Sequence, residues 1–202
     1  MTDFQFLGID LQKEFTHPQG KAYRLRPCVD FVRTVLLPHM RKHGLKTAEI
    51  NSDYRQPRPG SGSDQCHPGT EMFESEIPDE LRQGRIWYKS MHNPIWIREN
   101  IALPDRTPGL PYQDPLGFNR WLCETLGVSR LTVVLYGLTL DCCILCAAQE
   151  LYWRGHRVCV LVEATDAYSG DKEEKQRLLS GPPLTNWARP IEWEALINGP
   201  LG

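Results

Sequence analysis

The sequence predicts an α/β fold: three layers, α/β/α, around a mostly parallel sheet, in a single domain spanning residues 1–202. Two observations lead there. Short apolar strand candidates alternate along the chain with helix-compatible stretches. The strand candidates are also continuous apolar runs rather than in-and-out alternations, as in strands buried on both faces. The length of 202 residues, with 41% hydrophobic and 24% charged residues, suits a soluble chain with one substantial core.

The elements follow in order. Residues 4–9 (FQFLGI) are a strand ending at Asp10. Residues 28–43 place Val29, Val32, Leu36 and Met40 at helical spacing, with Pro38 expected to kink or shorten the helix. Residues 47–51 form a second strand. Residues 54–70, rich in Pro, Gly and Ser, form a loop. Residues 85–88 make a third strand, ending at Lys89. A second long loop covers 103–117, with Pro104, Pro108, Pro111 and Pro115; long loops in compact domains are usually functional or disordered. A helix over 118–126 is closed by Gly127. Then come a strand over 131–136, a helix over 144–154, a strand over 158–162 and a charged helix over 171–179. The tail from Gly181, rich in Pro and Trp, receives no assignment.

Composition excludes several function classes. The net charge of −2 and the lack of a basic cluster interleaved with aromatics argue against a nucleic-acid partner. No apolar stretch approaches the roughly 20 residues that span a bilayer, so no membrane partner is expected. The start, Met1-Thr2-Asp3-Phe4, lacks the charged and apolar regions of a signal peptide. Seven cysteines, an odd number without an export signal, favour reduced thiols and a cytoplasmic setting.

In parallel sheets ligands bind beyond the carboxyl ends of the strands. Asp10, Lys89 and Cys143 each follow such an end, so an acid, a base and a nucleophile are expected to converge on one sheet edge. Cys143 lies where a strand ends, turns and opens a helix. Free N–H groups and the helix's positive end favour a thiolate there, so its pKa is expected to fall. The same N–H groups can hold an oxyanion. Asp141 is expected to cap the helix.

Three segments carry a family resemblance. They are Asp10-Leu11-Gln12-Lys13-Glu14-Phe15 after a strand, Lys89 at the end of Trp87-Tyr88-Lys89, and Gly137-Leu138-Thr139-Leu140-Asp141-Cys142-Cys143 before an Ala-containing helix. Together, in this order and across residues 4–168, they resemble the isochorismatase-like cysteine hydrolases, which include nicotinamidases and N-carbamoyl amidohydrolases. The resemblance implies a Rossmann-like isochorismatase fold and a triad with Cys143 as nucleophile, Asp10 as general base and Lys89 as orienting cation. It also implies an oxyanion hole from the N–H groups of Thr139 and Cys143, and a cis peptide between Leu138 and Thr139. Gln12, Phe15, Trp96 and Tyr168 are the candidate substrate-binding residues. The implied activity is cleavage of a C–N bond in a small amide or carbamoyl compound through an acyl-thioester, by a homo-oligomer needing no cofactor.

Nicotinamidases carry an Asp-x-His metal motif, whereas the matching stretch here is Asn51-Ser52-Asp53-Tyr54-Arg55. Asp53 with His67, the only nearby histidine candidate, falls short of a three- or four-ligand metal site, so no metal is expected. The 90–116 segment is long enough to form a lid or a subunit-contact arm. Two other functions stay open on the same residues. One is acyl or amide transfer, if that loop excludes water. The other is a non-catalytic, oligomeric small-molecule-binding protein.

Overall fold

The computed structural model describes residues 4–127 and 132–199. The signal-peptide reading at Met1-Thr2-Asp3 and the first residue of the 131–136 strand lie outside them.

The chain opens with β1 (Phe4–Ile9) and the short helix α1 (Lys13–Thr16). The helix expected over 28–43 is present in three consecutive pieces: α2 (Pro27–Phe31), a π-turn over Val32–Leu36, and α3 (Leu37–His43). Pro38 has no N–H to give the preceding turn and its ring crowds that turn's carbonyls. The widened π-turn just before it accommodates both effects. Next come β2 (Thr47–Ser52), β3 (Trp87–Lys89), and the short strands β4 (Trp96–Ile97) and β5 (Tyr112–Gln113). They are followed by α4 (Pro115–Leu126), β6 (Thr132–Leu138), α5 (Cys143–Trp153), β7 (Arg157–Asp166) and α6 (Lys172–Ser180). The unassigned tail folds as β8 (Arg189–Ile191) and α7 (Trp193–Asn198).

Six strands form one sheet in the order β3-β2-β1-β6-β7-β8, and every pairing is parallel. β8 is an edge strand, where Pro190 is tolerated because no further neighbour needs its missing N–H. β4 and β5 pair antiparallel outside this sheet, so the segment read as loop is partly ordered as a small ribbon. Successive strand residues point to opposite faces. Leu7, Ile9, Val133 and Leu135 therefore pack with Phe118, Trp121, Ile144 and Leu178 from α4, α5 and α6. Phe6, Val134, Tyr136 and Leu161 pack on the other face with Val32, Leu36, Met40 and Leu196. The result is a three-layer α/β/α architecture, as expected from the continuous apolar strands.

From β1 the chain moves outward to β2 and β3; from β6 it moves the other way, to β7 and β8. Connections leaving in opposite directions open a crevice above the carboxyl ends of β1 and β6. Gly137 lies at this point with a φ of 110°, and a Cβ built on it would come 2.1 Å from the carbonyl oxygen of Ile9. Only glycine suits both the backbone angle and the close approach of the two central strands. Gly137→Ala is expected to destabilise the fold by roughly 2–4 kcal/mol in urea unfolding, from left-handed strain plus displacement of β1. A change below about 0.5 kcal/mol, the range of ordinary surface substitutions, contradicts this.

Candidate active site

Asp10 follows β1 directly, Ser52 ends β2 with Tyr54 soon after, Lys89 ends β3, and Thr139 and Cys143 follow β6. Parallel pairing puts all of these ends on one edge. Asp10 has a φ of 52°, a left-handed conformation that Asp tolerates better than most residues. Its N–H donates to the Ile50 carbonyl at 2.9 Å, which pins the turn to β2.

The side chains form one buried network. Asp10 is 2% exposed and Lys89 1% exposed. Lys89 Nζ donates to Asp10 Oδ2 at 2.8 Å, to Ser52 Oγ at 2.7 Å and to Tyr54 Oη at 2.7 Å, and lies 3.4 Å from Cys143 Sγ. Ser52 Oγ donates its own hydrogen bond to Asp10 Oδ1 at 2.7 Å. Tyr54 Oη accepts from Lys89, so its single proton is free to point elsewhere. Cys143 Sγ and the Met91 carbonyl oxygen both lie 3.4 Å away. That is an ordinary hydrogen-bond length to sulfur and a long one to oxygen, so the sulfur is the better partner.

The resting state of the sulfur differs from the expectation. Burial, and then the neighbouring Asp10 carboxylate, push the Cys143 thiol well above its ordinary pKa. Lys89 and the Tyr54 hydroxyl pull the other way and are outweighed. Cys143 therefore rests as a thiol beside a carboxylate, not as a preformed thiolate. Burial also works against the charge of Lys89, but the Asp10 carboxylate opposes it and holds the ammonium above its usual value. Burial, then Cys143 and Asp10, keep Tyr54 protonated.

Cys143 is the first residue of α5. The Leu138–Thr139 peptide is cis. The carbonyl of Thr139 accepts from the N–H groups of Cys142 at 3.1 Å and Ile144 at 3.0 Å. Among the described residues the N–H groups of Thr139 and Cys143 have no hydrogen-bond partner, so both are available to a ligand. Asp141 does not cap α5. Its Oδ1 accepts the N–H of Tyr168 at 2.9 Å, and the Thr139 carbonyl holds the turn instead.

The sulfur and Asp10 open into a cavity of about 460 Å³. Phe15, Leu138 and Tyr168 line it, with Thr139, Tyr54 and Arg58. Two candidate substrate-binding residues are absent from its walls. The Gln12 amide is spent on backbone, with Nε2 donating to the Ser52 and Phe73 carbonyls at 3.0 and 3.1 Å and Oε1 accepting the Ser52 N–H at 2.7 Å. It holds Ser52 in place rather than facing a ligand. Trp96 lies in the β4–β5 ribbon, opposite Gln113, away from the cavity. Ser52, Tyr54, Arg58 and His92 are additions that sequence reasoning missed. The signal for the first two was their place at or just beyond the end of β2, the same criterion that singled out Asp10 and Lys89.

The residues present do not fit a metal ion. Asp53 is held bidentately by the guanidinium of Arg55, Nε to Oδ1 at 2.9 Å and Nη2 to Oδ2 at 2.6 Å, and also accepts the Ala102 N–H at 2.9 Å. Arg55 Nη1 and Nη2 donate further to the carbonyls of Leu103, Arg106 and Asn100. An internal cation thus sits on the one carboxylate that the metal pattern would use. His67 Nε2 lies 3.0 Å from Asp64, not near Asp53's partners. Among the described residues no group of three or more His, Cys, Asp or Glu side chains is placed to bind a metal.

No family model matches this chain, and no curated protein does. Solved structures do. An isochorismatase family protein from Desulfovibrio vulgaris superposes with a TM-score of 0.64 at 16% identity, covering 98% of each chain. A nicotinamidase from Bacillus subtilis gives a TM-score of 0.62 at 15% identity, covering 95% of this chain and 100% of that one. An N-carbamoylsarcosine amidase from Thermoplasma acidophilum gives 0.54 at 20% identity, covering 94% and 95%. At these identities the likeness establishes the fold, which is that of the isochorismatase-like hydrolases. All seven cysteines are free, and among the described residues no helix is long and apolar enough to cross a membrane.

The raised thiol gives a sharp expectation for alkylation. Site-resolved peptide mass spectrometry is expected to show the iodoacetamide rate at Cys143 climbing through pH 9 without levelling, because only the thiolate reacts. A plateau already reached near neutral pH contradicts the assignment of a resting thiol.

Proposed function

We propose that this chain is a cysteine-dependent hydrolase that cleaves the C–N bond of a small amide or carbamoyl compound through an acyl-thioester. The observation that carries the reading is a single sulfur in contact with Lys89 and Tyr54, beside Asp10, opening into a small cavity next to two unpartnered N–H groups.

Each residue has a task its chemistry suits. The substrate carbonyl oxygen takes the N–H groups of Thr139 and Cys143, where negative charge develops. Asp10 accepts the thiol proton as the S–C bond forms. Cys143 therefore becomes anionic only in the presence of substrate, consistent with its raised pKa. Tyr54 and Lys89 meet that charge as it appears, and Lys89 stays protonated throughout. When the C–N bond breaks, Asp10 returns the proton to the leaving nitrogen, which departs as ammonia or an amine. Water then adds to the thioester, giving its proton to Asp10. The C–S bond breaks and the thiol is restored, leaving a carboxylic or carbamic acid.

Hydrolysis is favoured over transfer by the placement of the 90–116 segment. Only its His92 lines the cavity. Its residues Asn100, Ala102, Leu103 and Arg106 are held at Asp53 and Arg55 instead. A cavity wall with one residue from that arm leaves room for water to reach a thioester. The comparisons support the reaction class, since proteins of this fold include a nicotinamidase and an N-carbamoylsarcosine amidase.

Ammonia release from a panel of primary amides and N-carbamoyl compounds tests the reading. Cys143→Ala is expected to lower kcat/KM by at least about 10³-fold. Asp10→Asn and Lys89→Met should do nearly as much alone as all three together, because the groups act as a unit. Activity undiminished in Cys143→Ala defeats the proposal. Dialysis against a chelator is expected to leave the rate unchanged, since Arg55 already neutralises Asp53; a loss restored by a divalent metal contradicts that account.

A further inference from the structure

We propose that Arg58 is a positioning residue for the sulfur: stacked on Tyr54, it fixes that ring and strengthens its hydroxyl as a hydrogen-bond donor to Cys143. The effect on turnover rests on the amidase reading; the effect on the sulfur does not.

The arrangement begins in the loop that follows β2. Gln56 ties this segment to itself. Its Nε2 donates to the Ser61 and Ser63 carbonyls at 2.9 and 2.7 Å, and its Oε1 accepts the Arg58 N–H at 2.7 Å. The loop thereby folds back, and the Arg58 side chain returns over Tyr54, four residues earlier in the chain. Arg58 is 4% exposed. Its Nε donates to the Ser90 carbonyl at 2.9 Å and its Nη1 to Ser63 Oγ at 2.8 Å, so two tethers fix the plane of the guanidinium. Its central carbon lies 3.8 Å from the centre of the Tyr54 ring, a direct stacking contact. Phe15 meets the same ring edge-on, with centroids 6.4 Å apart. The ring is therefore clamped, and its hydroxyl with it.

The charge of Arg58 is not spent on an acid. Arg55, Arg82 and Arg154 pair with Asp53, Glu49 and Glu150; among the described residues Arg58 forms no ion pair and uses neutral acceptors only. A desolvated cation against an aromatic face is attracted by the ring electrons and draws on them. Density drawn from the ring makes the phenolic O–H a stronger donor. Tyr54 Oη already accepts from Lys89 at 2.7 Å, and Cys143 Sγ lies 3.4 Å away to receive its proton. That hydrogen bond strengthens as the sulfur gains charge, because bonds to ionised acceptors are the strong ones. Arg58 thus favours the sulfur anion over the resting thiol without touching a substrate. The other titratable groups around the sulfur and the phenol are Asp10 at the end of β1 and Lys89 at the end of β3, with the His92 ring 6.2 Å from that of Tyr54.

Alkylation of Cys143 by iodoacetamide, an uncharged reagent, reads this directly, since its second-order rate follows the thiolate fraction. At about pH 8.5 His92, whose pKa burial lowers, is neutral and does not contribute. Arg58→Gln is expected to lower that rate about three- to ten-fold, within the range of a desolvated cation–π contact, and Arg58→Lys to recover part of the loss. Tyr54→Phe keeps the ring and removes the hydroxyl. In that background Arg58→Gln is expected to change the rate by less than about 1.5-fold, because the route to the sulfur is gone. Ser63→Ala, which unties one end of the guanidinium, should show the same pattern in smaller measure and carries the cycle should circular dichroism find Arg58→Gln unfolded. With an uncharged amide that the enzyme turns over, kcat should fall in Arg58→Gln while KM stays within about two-fold. An unchanged alkylation rate in the folded variant overturns the proposal, as does a loss of equal size in the Tyr54→Phe background or a change confined to KM. Should no amide be hydrolysed, the amidase reading fails, and the alkylation cycle alone decides whether Arg58 acts on the sulfur through Tyr54.

Discussion

The Lys89 ammonium, almost wholly removed from water, sets the terms for everything around it. A buried charge left unpaired costs on the order of 3–5 kcal/mol, so its surroundings must satisfy it. They do so with one carboxylate, two hydroxyls and a nearby sulfur, drawn from the ends of β1, β2 and β6. The parallel sheet delivers these groups because every strand ends on the same side. The reversal of direction between β1 and β6 leaves that side open exactly where the sulfur lies. Satisfying the lysine and gathering an acid, two hydroxyls and a thiol at one sheet edge are thus one structural act.

A second internal cation extends the same logic. Arg55 neutralises Asp53 from within the chain, gathers the carbonyls of residues 100–106, and ties the long arm to the end of β2. What a divalent ion does by ligation, a guanidinium does here by hydrogen bonding, though it offers no open coordination position for a substrate. Under the proposed function, polarisation of a bound carbonyl then falls to the N–H groups of Thr139 and Cys143. Arg58 is a third enclosed cation, lying 3.8 Å from the centre of the Tyr54 ring.

The sheet and most helices were legible because continuous apolar runs such as Thr132–Leu138 leave little doubt about a strand buried on both faces. Asp10, Lys89 and Cys143 stood out in the sequence because each is a chemically distinctive residue at, or a turn beyond, the end of a predicted strand. The tail was not: β8 has three residues including a proline, and α7 has six, too few for a periodic pattern. The two-residue strands β4 and β5 leave no signal in a Pro-rich stretch. Tyr54 and Arg58 were hidden because they begin a segment whose Pro, Gly and Ser content reads only as loop, and their roles come from tertiary packing. Gln12 fits the motif yet serves the backbone, a distinction that depends on where the Ser52 peptide lies. The Cys143 pKa was misjudged because helix-end electrostatics are visible in a sequence, whereas burial beside a carboxylate is not.

The most direct test uses a nitrile analogue of a turned-over amide, labelled with carbon-13 at the nitrile and observed by NMR in the native protein. A thiol activated by Asp10 adds across the nitrile without any group having to leave, so the adduct accumulates. The account expects the labelled carbon to move from the nitrile range to that of a thioimidate with the wild-type protein and to stay unmoved with Cys143→Ala. A bound, inhibitory nitrile whose carbon stays in the nitrile range with the wild-type protein contradicts it.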